Sequence, residues 1–190
     1  MTKSKNTKKN IFTKSTQLPG DKSDGLFFLM GFMGSGKTYW GTRWAKSSGL
    51  HFFDIDEMIE RAEGKTASDI FAQQGEEYFR DLETEVLRSF EGQQNAIIAT
   101  GGGTPCFNDN ISWMNKQGTT IYLRSSPEKI FERLRREKQK RPLVKHLKDE
   151  ELLFYITEKI KERDFFYNQT KIILDVDRLS ENYIPDFLLI

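Results

Sequence analysis

The chain has 190 residues, 37% hydrophobic and 30% charged, with a formal net charge of +1. That length suits one domain with a sizeable core, and the near-neutral balance removes any whole-molecule electrostatic argument for nucleic acid or an acidic membrane as partner. No apolar run approaches the ~18 residues of a membrane span, and the single cysteine, Cys106, excludes an internal disulfide.

With no apolar leader at the N-terminus and thiol usage that fits a reducing compartment, the expectation is a cytoplasmic protein. Fifteen Phe and three Trp suggest a core built from rings more than from aliphatic chains. Six lysines against one aspartate in residues 1–22, with Ser, Thr and Asn between them, read as a disordered, solvated tail over residues 1–23. A single domain is expected over residues 24–190.

The first apolar run, Leu26–Met30, reads as a buried strand and leads straight into Gly31-x4-Gly36-Lys37-Thr38, a phosphate-cradling P-loop. Gly31, Gly34 and Gly36 let the backbone curl so that its N–H groups, Ser35 among them, converge on phosphate oxygens. A helix over roughly 37–47 aims its positive end at the same anion. Lys37 reaches the terminal phosphates and the Thr38 hydroxyl ligates magnesium. The pattern points to a bound nucleoside triphosphate.

A second strand, His51–Asp54, precedes a helix over 56–62 and carries acids at alternate positions, Asp54 and Asp56. In an extended segment both face one side and approach the P-loop mouth. One would hold magnesium, the other orient an acceptor hydroxyl or take its proton. Thr66 and Asp69 resemble an N-cap with its reciprocal acidic partner, so a helix enters at Ala67. Helices over 68–74 and 76–91 are separated at Gly75. Arg80 and Glu83, one turn apart on the second, read in isolation as a surface ion pair.

Strand Ala96–Ala99 runs into Thr100-Gly101-Gly102-Gly103-Thr104, where three glycines allow backbone to approach a ligand closely. Cys106 follows Pro105 in a loop and reads as an idle thiol. A helix over 108–117, a strand Thr119–Leu123 and a helix over 127–138 come next. From Glu132 to Lys148 there are eight Lys or Arg against two Glu, interrupted by Arg141-Pro142. Beside a P-loop this stretch reads as a lid over about 132–148, with Arg141 neutralising charge during transfer. A helix over 149–167 ends in Glu162-Arg163-Asp-Phe-Phe-Tyr167, whose arginine has no role assignable from the residues alone. Strand Ile172–Leu174 and a helix over 180–189 complete the chain. Strands separated by helices imply an α/β fold in three layers, a five-stranded parallel sheet covered on both faces.

Guanine-specific switches need Asn-Lys-x-Asp for the base, which Asn168-Gln-Thr-Lys171 does not supply. A compact P-loop domain with a short cover suits phosphoryl transfer to a small acceptor.

Taken together, GFMGSGKT, DIDEMIE, IFAQQGEEYFRDLE, ATGGG, RPLV and ERDFFY resemble the shikimate kinase family from about Leu26 to Asp175. The resemblance implies transfer of the ATP γ-phosphoryl group to the 3-hydroxyl of shikimate, in the chorismate pathway of aromatic amino-acid biosynthesis. It implies a monomer with ATP and shikimate as small-molecule partners and Mg2+ as cofactor. Asp56 would grip ring hydroxyls and serve as candidate base, while Arg80 and Arg163 would bind the carboxylate with planar guanidinium forks. Gly101, Gly102 and Gly103 would contact the acceptor, Gly102 through its N–H, and Phe71 and Phe79 would wall its pocket. Gly34 to Tyr39 would hold the phosphates, Thr38 with Asp54 the magnesium, and Arg141 would be the lid arginine; the spacing leaves the adenine-side arginine between Arg133, the one carried forward, and Arg135. The family pattern carries Ser or Thr where this chain has Tyr39.

Overall fold

A computed structural model describes residues 25–138 and 144–188. The predicted tail, and Arg141 with its neighbours in the predicted lid, lie outside the described residues.

The five predicted strands form β1 (Leu26–Met30), β2 (His51–Asp54), β3 (Ala96–Ala99), β4 (Thr119–Arg124) and β5 (Ile172–Asp175). They make one sheet in the order β2-β3-β1-β4-β5, with every pairing parallel. Parallel neighbours need crossovers, and the helices that supply them cover both faces, which is why β1 and β3 are apolar and buried at every position. Alternate β1 residues serve opposite layers. Phe28 and Met30 meet the cluster under α2 (Ile55–Glu63), α3 (Ala67–Arg88) and α4 (Asn110–Gln117). Phe27 and Leu29 meet Trp40 and Trp44 of α1 (Lys37–Ser48) and the C-terminal segment. The buried Trp44 indole N–H donates to the Tyr183 carbonyl at 2.9 Å, so this large ring enters the core with its polar atom satisfied. Aliphatic side chains nonetheless outnumber rings in the core, against expectation, because Phe154 and Phe165 stand in solvent and other rings line the site.

The helix boundaries have local causes. Thr66 accepts the Asp69 N–H at 3.2 Å and donates to the Asp69 carboxylate, so α3 begins at Ala67 as predicted. Gly75 sits inside α3 at φ 86°, ψ 172°, a break that L side chains resist, and divides it where the two predicted helices divide. Helices α5 (Pro127–Glu137) and α6 (Asp149–Tyr167) also match. The predicted helix over 180–189 does not form. Ser180–Tyr183 is a turn, Pro185 follows, and only a 3-10 turn, Asp186–Leu188, remains. A third cluster packs Phe32 of the P-loop on Ile130 and Leu134 of α5, Leu152 and Ile156 of α6, and Val144. The phosphate loop thus rests on the two helices that flank the predicted lid.

Strand register sets the site. Asp54 pairs with Ala99, and Ala99 with Leu29, so β2, β3 and β1 finish level. The P-loop, the Asp54 carboxylate and the glycine triplet therefore emerge side by side at the carboxyl edge of the sheet, where open α/β sheets bind ligands.

Candidate active site

After β1 the chain turns through the P-loop, where the Ser35 N–H donates to the Phe32 carbonyl at 3.1 Å. Gly36, at φ 93°, makes the left-handed entry to α1 and offers no side-chain cap. The N–H groups of the first α1 turn are thus left for a ligand. The Lys37 ammonium donates to the Gly31 and Phe32 carbonyls at 2.9 and 3.1 Å, spanning the loop. The Gly34 carbonyl accepts from Arg133 at 3.1 Å, and Arg133 also reaches Ser125 and pairs with Asp177 at 3.3 Å. Arg135 instead pairs with Asp149 at 2.9 Å. Geometry therefore brings Arg133, and not Arg135, to the P-loop. Tyr39 is 50% exposed, its ring engaged by the edge of Trp40 and the guanidinium of Arg43.

Asp54 and Asp56 reach the site differently from the sequence expectation. The extended segment stops at Asp54, and Asp56 lies in the first turn of α2. Asp54 caps that helix, its Oδ1 accepting the Asp56 N–H at 3.1 Å, while Oδ2 accepts from the Thr38 hydroxyl at 2.9 Å. That hydroxyl–carboxylate couple is a hard oxygen donor set. It fits Mg2+, which keeps waters and substrate phosphates around it and needs few protein ligands.

Asp56 Oδ1 is closed off from solvent and has no hydrogen-bond partner. Burial, then the charges of Glu83 and Asp54, push its carboxyl up to about 7, against the opposing pull of Lys37. Such a carboxyl is poised to exchange a proton near neutrality.

The triplet Gly101-Gly102-Gly103 explains itself by what each member touches. A Cβ on Gly101 would collide with Glu83 and sit 2.8 Å from Asp56 Oδ1. One on Gly102 would sit 3.1 Å from an Arg163 nitrogen, and one on Gly103 2.7 Å from the Arg80 guanidinium. A bare stretch of backbone therefore runs past a carboxylic acid and two guanidinium groups in succession, and any side chain there would displace one of them.

Arg80 and Glu83 are not the surface pair their spacing suggests. Glu83 is 1% exposed and the Arg80 side chain 12%, with 2.7 Å between them. Glu83 also accepts from Thr104, and Glu76 binds the far side of Arg80 at 2.8 Å. The Arg80 guanidinium lies 5.5, 5.8 and 4.6 Å from the ring centres of Phe71, Phe79 and Phe107. Phe71 and Phe79 stack on each other with ring centres 4.5 Å apart. Arg163 stands 5.5 Å over the ring of Phe32. Between α3, the glycine triplet and α6, two cations and one neutralisable acid come together beside the Phe71–Phe79 stack. That arrangement suits a small polyhydroxy carboxylate.

The profile described as shikimate kinase matches residues 33–188. The chain belongs to the shikimate kinase family. A shikimate kinase of Parabacteroides distasonis is 42% identical over 160 residues, 84% of this chain and 92% of that protein. The crystal structure of shikimate kinase from Bacteroides thetaiotaomicron superposes with a TM-score of 0.80 at 38% identity, covering 84% of this chain and 91% of the other. Shikimate kinase from Acinetobacter baumannii in complex with shikimate gives 0.73 at 31% identity, over 83% and 86%.

The structure brings Asp56, Arg80, Arg163 and the glycine triplet together beside the P-loop, while the Tyr39 ring stands half exposed on Trp40 and Arg43. It adds three that sequence reasoning missed: Glu83 and Phe107 contact Arg80, and Thr104 holds Glu83. Glu83 was visible in the sequence, but its burial was not, because burial depends on the glycine triplet folding over it. Cys106 is half-buried, with its thiol pushed up to about 11 by burial despite the nearby Arg163 and Arg80, which keeps it protonated and idle. Among the described residues no helix is long and apolar enough to cross a membrane.

Proposed function

We propose that this chain transfers the γ-phosphoryl group of ATP to the 3-hydroxyl of shikimate, giving shikimate 3-phosphate and ADP. One observation carries the reading: side chains on the glycine triplet would run into Asp56, Arg163 and Arg80 in turn, beside a P-loop that holds Lys37 across it and leaves the N-terminus of α1 without a side-chain cap.

In the reaction the P–O bond to the β-phosphate oxygen breaks, a P–O bond to the acceptor's 3-oxygen forms, and the hydroxyl proton passes to Asp56. Arg80 and Arg163 hold the acceptor carboxylate, which fixes the distance from the ring hydroxyl to the donor. Arg80 is itself held between Glu83 and Glu76, so little rotamer freedom remains to be lost on binding. Lys37 stabilises charge on the terminal phosphates, and Arg133 borders the nucleotide from α5. Thr38 and Asp54 would hold Mg2+, which when bound neutralises phosphate charge. The resemblance adds Arg141 as a lid cation.

The direct test mixes purified protein with ATP, magnesium and either shikimate or gluconate and follows ADP release. Shikimate-dependent turnover is expected; robust turnover of gluconate with none of shikimate would overturn the reading.

Asp56 adds a pH signature. Because its carboxyl titrates near 7, kcat/KM for shikimate is expected to rise tenfold per pH unit below about pH 7 and level off above it. Asp56→Asn is expected to lower kcat by roughly 10^3-fold. Stability should move the opposite way. Between the ordinary carboxylate value and about 7 the folded chain binds a proton here that the unfolded chain does not, so folding weakens as pH rises through that window. Thermal melts of Asp56→Asn should therefore show a Tm higher by roughly 5 °C at about pH 8 and little change at about pH 4. Lower stability at the higher pH would mean that Asp56 is held as a paired carboxylate.

A further inference from the structure

A run of three glycines can approach ligands closely, but it has no side chains with which to hold itself in place. The carbonyls show how this run is held. The Gly101 carbonyl accepts the Thr104 N–H at 3.2 Å and the Gly103 carbonyl accepts the Cys106 N–H at 2.8 Å, both within the local turn. The middle carbonyl, Gly102, is held from outside: the Tyr167 hydroxyl donates to it at 2.6 Å.

Tyr167 is fully buried, its ring 4.8 Å from that of Tyr122 in a tilted stack. It sits four residues after Arg163 on α6, hence on the same helix face. The Arg163 guanidinium lies near that phenol and opposes the effect of burial on it. Arg163 in turn fills the space a Gly102 side chain would take, with a nitrogen 3.1 Å from where its Cβ would stand. One hydroxyl thus ties the triplet's central peptide to the last turn of α6, beside the guanidinium carried one turn earlier on the same helix. A trans peptide points its N–H opposite its carbonyl, so tying down the Gly102 carbonyl also sets the direction of the Gly103 N–H.

We propose that Tyr167 is a positioning residue of the acceptor site: its hydroxyl holds the glycine loop and Arg163 in register, so that backbone and guanidinium meet the acceptor as one preorganised surface. The proposal rests on the acceptor reading given above. Burial holds the phenol above its ordinary range, so the donated bond persists across the working pH.

Tyr167→Phe removes the hydroxyl and keeps the ring stack. Steady-state kinetics with shikimate and ATP varied separately, together with a thermal melt, test the idea. The KM for shikimate is expected to rise roughly tenfold while the KM for ATP stays within about twofold of the parent. Tyr122→Phe, which also takes a hydroxyl from the stack, is expected to leave both constants at parent values. A shikimate KM within about twofold of the parent, or equal rises for both substrates, would overturn the positioning role. A parent enzyme inactive on shikimate would sink the functional reading and this proposal together; an active parent with an unchanged Tyr167→Phe sinks the proposal alone.

Discussion

Lys37→Ala is expected to lower kcat by about 10^3-fold while leaving the KM for shikimate within about threefold of the parent. The ammonium sits at the P-loop mouth, spanning the Gly31 and Phe32 carbonyls, where it can move onto phosphate oxygens without rebuilding the loop. Charge that develops on the transferring group in a desolvated cleft is worth far more to stabilise than the same charge in water. The acceptor's own contacts, Arg80, Arg163 and the glycine triplet, do not involve Lys37, so its loss should appear in the chemical step. Single-turnover measurements at saturating ATP would show this, and a normal kcat would remove Lys37 from the mechanism.

Arg80 requires a gentler substitution. Arg80→Ala would leave the buried Glu83 without its cation, at a cost of about 3 to 5 kcal/mol in stability, and would confuse folding with binding. Arg80→Lys retains a positive charge beside Glu83 and loses the planar fork. Losing a charge-assisted bidentate contact is worth about 2 to 3 kcal/mol, so the KM for shikimate is expected to rise by roughly 100-fold. The KM for ATP should stay within about twofold. Equal loss of ATP affinity would assign Arg80 to the wrong ligand.

Much of this site was legible because the chemistry is local in sequence. The P-loop occupies eight consecutive residues, and the strand before it and helix after it carry their own apolar and glycine signals. The strands were readable because each carries a short apolar run, unbroken in the fully buried β1 and β3. What sequence reasoning could not supply was the effect of distant segments on one another. Spacing could not distinguish Arg80 and Glu83 from a solvated pair, since only the fold of Gly101–Gly103 over α3 buries them. The change from strand to helix after Asp54 was legible, but the facing of Asp54 and Asp56 was not, because Asp54 turns to cap the helix that carries Asp56. The C-terminal segment had helical composition, but Pro185 and packing against α1 through Trp44 and Arg43 hold it as turns. The choice between Arg133 and Arg135 likewise turned on a contact across the fold, the Gly34 carbonyl.

A crystal structure with ADP and shikimate bound is the most direct check. The acceptor carboxylate is expected within hydrogen-bond distance of both Arg80 and Arg163, with a ring hydroxyl on Asp56 and the nucleotide phosphates on the N-terminus of α1. Shikimate seated away from these two arginines, with its hydroxyl out of reach of Asp56, would contradict it.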